Sequence, residues 1–176
     1  FDLPKNGPEG MAPGRAYSLR YGNALFVMLD VTEAPEKQAE WLENTLKNTD
    51  ATWKFAVFHF PPFDPDANEP DIKKWWVPLF DRYHVDFALT GHVHHYLRTK
   101  PLRGGRVAAS PKDGTIYCVT VSIPGSPQHI RKPRYAEAAD FAENAFCNAF
   151  TVDGNRCTMQ AIDQDGKLCD EVTVEK

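Results

Sequence analysis

Three short apolar runs, Ala24 to Val31, Trp53 to Phe60 and Val85 to Thr90, each stop abruptly, and segments with helical spacing lie between them. That alternation restricts the chain to few architectures, because strands and helices in succession are the pattern of an α/β fold with buried strands. The runs have the length of buried strands and fall well short of the roughly 18 to 20 apolar residues of a membrane span. The second run ends at Pro61-Pro62, where two prolines remove ladder donors. The third runs straight into Gly91-His92-Val93-His94-His95-Tyr96.

The remaining segments fit the same scheme. Pro4, Gly7, Pro8, Gly10, Pro13 and Gly14 make the opening a loop. Ala16 to Arg20, a turn at Gly22-Asn23 and the first apolar run form a β-hairpin, with Asp30 closing its second arm. Thr32 to Lys47 has helix grammar, with Thr32 as cap, Pro35 in the first turn, Ala39, Leu42 and Leu46 on one face, and Trp41 and Leu42 toward the core. Residues 63–70 are a turn-rich loop. Ile72 to Tyr83 resumes helical spacing, and Pro78 kinks or interrupts it. After a Gly- and Arg-rich link, Gly114 to Ser122 reads as a strand leading into an Ile123 to Pro127 loop. From Phe146 onward, alternating residues and turns at Asp153-Gly154-Asn155 and Asp165-Gly166 predict a β-meander, the second turn carrying the stronger two-residue hairpin signal.

At 176 residues, 42% hydrophobic and 25% charged, the chain has the profile of one globular domain. A formal charge of −4 without a basic block gives no long-range attraction to nucleic acid or anionic lipid. Cys118, Cys147, Cys157 and Cys169 lack C-x-x-C spacing, so four buried thiols is the first reading and a disulfide among the last three the alternative. The start at Phe1-Asp2-Leu3-Pro4-Lys5 has neither an initiator Met nor signal-peptide regions. The expectation is that a segment precedes it.

In open α/β sheets, ligands bind at the carboxyl ends of the strands. Two of the apolar runs deliver imidazoles there: His59 within His-Phe-Pro-Pro-Phe, and His92 and His94 within Gly-His-Val-His-His-Tyr. A neutral imidazole is a good ligand for zinc, iron or manganese. A single histidine on an apolar strand is usually structural, but a second set some thirty residues later, at another strand end, points to a shared metal site. His95 is a loop residue that could contact substrate, His84 is expected to be solvated, and His129 belongs to a basic surface stretch, Gln128 to Arg134. Asp30 could orient a ligand, and Asp64, Asp66 and Glu69 put negative charge in the loop after His59.

The order strand, His-x-Pro-x-aromatic, loop, helix, strand, G-H-x-H-x-Tyr-x-Arg resembles the calcineurin-like metallophosphoesterases. Tyr96, Arg98 and Thr99 resemble the purple acid phosphatases in particular. Further similarity lies in Tyr17 to Asn23, in Leu29-Asp30, in Gln38 to Leu42 and in Asp170. The resemblance implies an α/β chain of mixed type, the C-terminal half of a four-layer α/β/β/α sandwich with a C-terminal meander, so that residues 1–176 form one partial domain. It implies two metal ions, drawn from iron, zinc or manganese, with His59 and His92 on one and His94 on the other. Gly91, Tyr96 and Arg98 would brace these ligands. The family's anionic motifs, D-x-H or D-x-D, G-D-x-x and G-N-H, do not occur ahead of His59. The bridging carboxylate and the substrate-contacting histidine are therefore expected upstream of Phe1. The expected partners are a phosphate-ester substrate and either a missing N-terminal half or a second copy covering bared sheet, with no nucleic acid and no membrane. The resemblance leans toward an extracytoplasmic location.

Overall fold

The computed structural model describes residues 2–67, 69–120, 129–139 and 144–176. The Ile123 to Pro127 loop, the tail of the strand expected to reach Ser122, and Gln128 lie outside these residues. In chain order the elements are β1 (Tyr17–Tyr21), β2 (Ala24–Met28), α1 (Glu36–Lys47), β3 (Trp53–Val57), α2 (Pro70–Trp75), α3 (Val77–Tyr83), β4 (Phe87–Thr90), β5 (Leu97–Thr99), β6 (Leu102–Arg103), β7 (Arg106–Val107), a short 3₁₀ turn (Pro111–Asp113), β8 (Ile116–Val119), β9 (Ala136–Ala139), β10 (Phe146–Asp153), β11 (Arg156–Asp163) and β12 (Leu168–Glu175). The class is mixed α/β. Among the described residues no helix is long and apolar enough to cross a membrane.

The main sheet has the order β1-β2-β3-β4-β8-β5-β9. Its four central strands, β2, β3, β4 and β8, are mutually parallel, so their carboxyl ends meet at one edge. Along each strand the side chains alternate between two apolar layers, as a period of two requires. Leu25, Val27, Ala56, Phe58, Ala88 and Tyr117 face the helices. Ala24, Trp53, Phe55, Phe87, Ile116 and Cys118 face the β10-β11-β12 meander. Phe26, Phe55 and Phe87 stack side by side across β2, β3 and β4, with centroids 4.7 and 5.6 Å apart, and Phe150 meets the latter two edge-on. Among the described residues helices cover one face of the main sheet and the meander the other.

Polar contacts help to hold the meander in place. At the β10–β11 turn the Gly154 carbonyl accepts hydrogen bonds from Trp53 Nε1 (2.9 Å) and Asn23 Nδ2 (3.0 Å). At the chain's last residue, Lys176 Nζ reaches the buried Asp86 carboxylate (2.8 Å) and lies over the Trp53 ring.

Several sequence expectations need correction. The helix starts at Glu36 and not near Thr32, because the Asp30 carboxylate takes both the Thr32 amide (2.8 Å) and hydroxyl (2.7 Å) and closes a local turn there. One expectation holds as stated: Pro78 interrupts the Ile72 to Tyr83 segment, which forms two helices broken at Trp76, since Pro78 in the first turn of α3 has no amide to continue the ladder. The tighter meander turn is the first, with Asp153 paired to Arg156 across two residues. At the second, Asp163 accepts the amides of Asp165 and Lys167 and props open a wider loop. Cys118 and Cys157 are buried, and burial pushes both thiols up to about 12. Cys147 is exposed and Cys169 half-buried, and all four are free thiols. His84 is not freely solvated: it is half-buried, with Nε2 3.1 Å from Asp86.

Candidate metal centre

The carboxyl edge of the parallel strands is built by two loops that begin directly where β3 and β4 end. The first opens with Phe58-His59-Phe60 and the second with Gly91-His92. Backbone hydrogen bonds keep them in step: the Phe58 amide donates to Leu89 (3.1 Å), and the Gly91 amide donates to the His59 carbonyl (2.9 Å). His59 and His92 are both exposed. Their ring centroids lie 5.2 Å apart at 75°, and Phe60 meets the His92 ring edge-on at 4.6 Å. Histidines 33 positions apart in sequence thus stand side by side at the sheet edge.

His92 has a φ of 72°, and the Val93 amide donates to the Gly91 carbonyl across it (2.9 Å). This is a γ-turn with positive φ at its centre, a strained form that costs a non-glycine residue on the order of 1–3 kcal/mol. The turn swings the His92 ring outward while Val93 stays in the core. His94 is half-buried on the same loop. His59, His92 and His94 do not bring their donor atoms within 4.8 Å of one another, so one ion held at that spacing would not take all three.

One set of ligand-type atoms among the described residues does meet that spacing: Asp64, Asp66 and His95, a group that could hold a cation. His95, read from sequence as a loop residue, is wholly buried, with Nε2 2.7 Å from Asp64 Oδ2. Asp64 is therefore turned inward. Of the loop's three acidic residues, Asp66 is exposed, Glu69 half-buried and Asp64 buried.

Tyr96 and Arg98 follow on toward β12. Arg98 Nε and Nη2 donate to the two Asp170 oxygens (2.6 and 2.9 Å), and the Tyr96 hydroxyl donates to Asp170 Oδ2 (2.8 Å). Burial, together with the neighbouring Cys118 and the Asp170 charge, pushes the Tyr96 hydroxyl well up, so it stays protonated and remains a donor. These two residues tie the histidine loop's outgoing strand to the meander. Asp30 is engaged by Arg15 (2.6 Å) and Thr32 rather than by a histidine. His129 is exposed, and the adjacent Ile130 packs with Val93 and Leu97.

An open groove of about 590 Å³ runs from His59, Leu89 and Gly91 to Phe146 and Asn148 on β10. β10 is an edge strand of the meander. Both amide atoms of the Asn148 side chain are buried there without a hydrogen-bond partner. The pairing of His95 with Asp64 and the burial of the Asn148 amide carried no sequence signal, because each depends on packing between distant parts of the chain.

Comparison with known proteins gives a consistent picture. The model of the calcineurin-like phosphoesterase family matches residues 9–96. An uncharacterized protein of Mycobacterium tuberculosis, matched in two strains, is 37% identical in an alignment 126 residues long that covers 59% of this chain and 24% of that protein. In structure the chain is similar to a purple acid phosphatase from yellow lupin (Lupinus luteus) seeds, with a TM-score of 0.73 and 20% identity over 94% of this chain and 34% of that one. It is also similar to GAP50, described as the anchor in the inner membrane complex of Plasmodium, with a TM-score of 0.69 and 14% identity over 96% of this chain and 56% of that one. At such identities the two structures speak to the fold alone. The chain spans about a quarter of the length of the curated relatives that it matches.

Proposed function

Because the chain belongs to the calcineurin-like phosphoesterase family, we propose that it works within a longer protein that hydrolyses phosphate esters, monoesters foremost, at a dinuclear metal centre. In this reading His59 and His92 serve one metal and His94 the other. The observation that carries it is the adjacency of His59 and His92, 5.2 Å between ring centroids, at the carboxyl edge of a parallel sheet.

The donor set fits part of such a centre. Neutral imidazoles suit iron, zinc or manganese, but three of them bring no negative charge to offset two cations. The bound ions would supply an activated water and neutralise the phosphoryl oxygens. This chain's residues would hold and orient: the Gly91–His59 backbone bond sets the spacing of the two loops, while Tyr96 and Arg98 anchor the strand leaving the second one. Carboxylate ligands would come from a further segment, lying along β10 in the groove that His59 lines. The unpartnered Asn148 amide supports a missing neighbour there, since a buried orphan polar group costs about 1–3 kcal/mol. Alone, the chain is expected to bind at most one metal, weakly.

The test is to express the chain together with the preceding segment of its open reading frame and assay 4-nitrophenyl phosphate against the bis-ester. The expected result is metal-dependent hydrolysis favouring the monoester. His59→Ala should lose at least about 100-fold, since residues that merely support metal ligands already cost 10- to 100-fold. Activity unchanged in His59→Ala would overturn the assignment. A second reading, a catalytically silent assembly module, draws on the likeness to GAP50, itself described as an anchor. An upstream segment without acidic metal-ligand motifs would favour it.

A further inference from the structure

The metal-ligand reading leaves one costly feature unexplained: His92 stands in a strained turn at the tip of a loop that no regular hydrogen-bond ladder holds. Such strain persists only where the surroundings over-determine the conformation. Three residues further on, His95 is wholly buried and bonded to Asp64, which is buried in the other histidine-bearing loop. The Asp64 carboxylate also accepts the Asp66 amide through Oδ1 (2.8 Å), so it is held from both ends. Ala67, which ends this Asp64 turn, packs against the cluster that contains Val93 and Leu97.

We infer that Asp64 and His95 form a positioning clamp that locks the His59 loop to the His92–His94 loop and maintains the strained turn at His92. The inference rests on the metal-centre reading for its purpose, although the clamp itself is a statement about these two loops. A buried, charge-capable hydrogen bond between segments 31 residues apart fixes both ends of the loop pair. The γ-turn then has no freedom to relax by rotating His92 inward. The clamp and the Gly91–His59 backbone bond act on opposite ends of the same two loops, and together they define the spacing of the rings. Asp66 takes no part through its side chain. Its exposed carboxylate lies near the pair, but only its backbone amide is used.

The experiment uses the 176-residue chain and two readouts. The first, amide hydrogen exchange at Gly91, needs no metal. Asp64→Ala should speed exchange at Gly91 by about tenfold or more while β10–β12 amides keep their protection. Asp64→Asn retains an acceptor for His95 and should stay within about twofold of the parent. Should Asp64→Ala fail to fold, His95→Phe, which keeps the ring volume without a donor, is read the same way. Unchanged Gly91 exchange in the acceptor-free variant overturns the clamp. The second readout is zinc affinity by chelator competition, where Asp64→Ala should weaken binding about tenfold and Asp66→Ala should leave it as in the parent. Loss of a zinc equivalent in Asp66→Ala overturns the clamp in favour of a cation held by Asp64, Asp66 and His95. Zinc binding that survives His59→Ala with His92→Ala overturns the metal-centre reading, and leaves the exchange result to decide the clamp.

Discussion

Asp170→Ala is expected to cost the chain about 3–5 kcal/mol, the usual loss when one partner of a buried ion pair is removed. The reason is what remains behind. Arg98 and Asp170 have side-chain exposures of 7% and 10%, and the carboxylate takes both Arg98 nitrogens and the Tyr96 hydroxyl. Without it, a guanidinium and a phenol are stranded between the main sheet and the meander. Denaturant unfolding measures the effect, and a loss below about 1 kcal/mol, typical of an exposed pair, would contradict it. The same site gives a pH dependence. Burial pushes the Asp170 carboxyl up, but the hydrogen bonds from Arg98 and Tyr96 and the Arg98 charge outweigh it, so the folded-state value lies below the ordinary one. A depressed carboxylate contributes stability that is complete above the unfolded value of about 3.9 and lost as pH falls through the folded value. The parent should therefore lose stability below about pH 4 more steeply than Asp170→Asn.

Phe55→Ala is expected to cost a similar 3–5 kcal/mol. Phe55 is the middle ring of the Phe26–Phe55–Phe87 row and the ring that Phe150 meets edge-on, so truncation empties the seam where sheet and meander join. The four aromatic residues sit on four different strands, which leaves little scope for the cavity to collapse. Phe55→Leu should lose clearly less, because leucine refills most of the volume. Equal losses for the two substitutions would argue against packing at this seam as the source.

Both expectations lie on parts of the fold that sequence pattern exposes to very different degrees. The buried parallel strands were readable because Ala24–Met28 and Trp53–Val57 are nearly continuous apolar runs with sharp ends. The meander was readable from alternation. Leu97–Thr99 and Ala136–Ala139 were not, since a three-residue strand carrying arginine, and one of three alanines and a glutamate, become strands only by pairing with each other and with β8. Helix α1 was placed correctly in its body and wrongly at its start, because Asp30 competes for the groups of Thr32.

The candidate site divides in the same way. His59 and His92 could be picked out because each follows an abrupt strand end, and parallel pairing then brings those ends together. The inward turn of Asp64 and the burial of His95 depend on a pairing across 31 positions, which no local spacing encodes. Arg98 shows the intermediate case: its family-like position was visible, while its partner Asp170, 72 positions later, was visible only as a further point of similarity.

The most direct measurement is a zinc titration of the 176-residue chain followed by NMR of the histidine rings. The account predicts that the His59 and His92 signals shift together along one weak isotherm while the His84 signal, at the opposite end of the sheet beside Asp86, stays put. A titration in which His59 and His92 do not respond, or in which His84 responds equally, would contradict it.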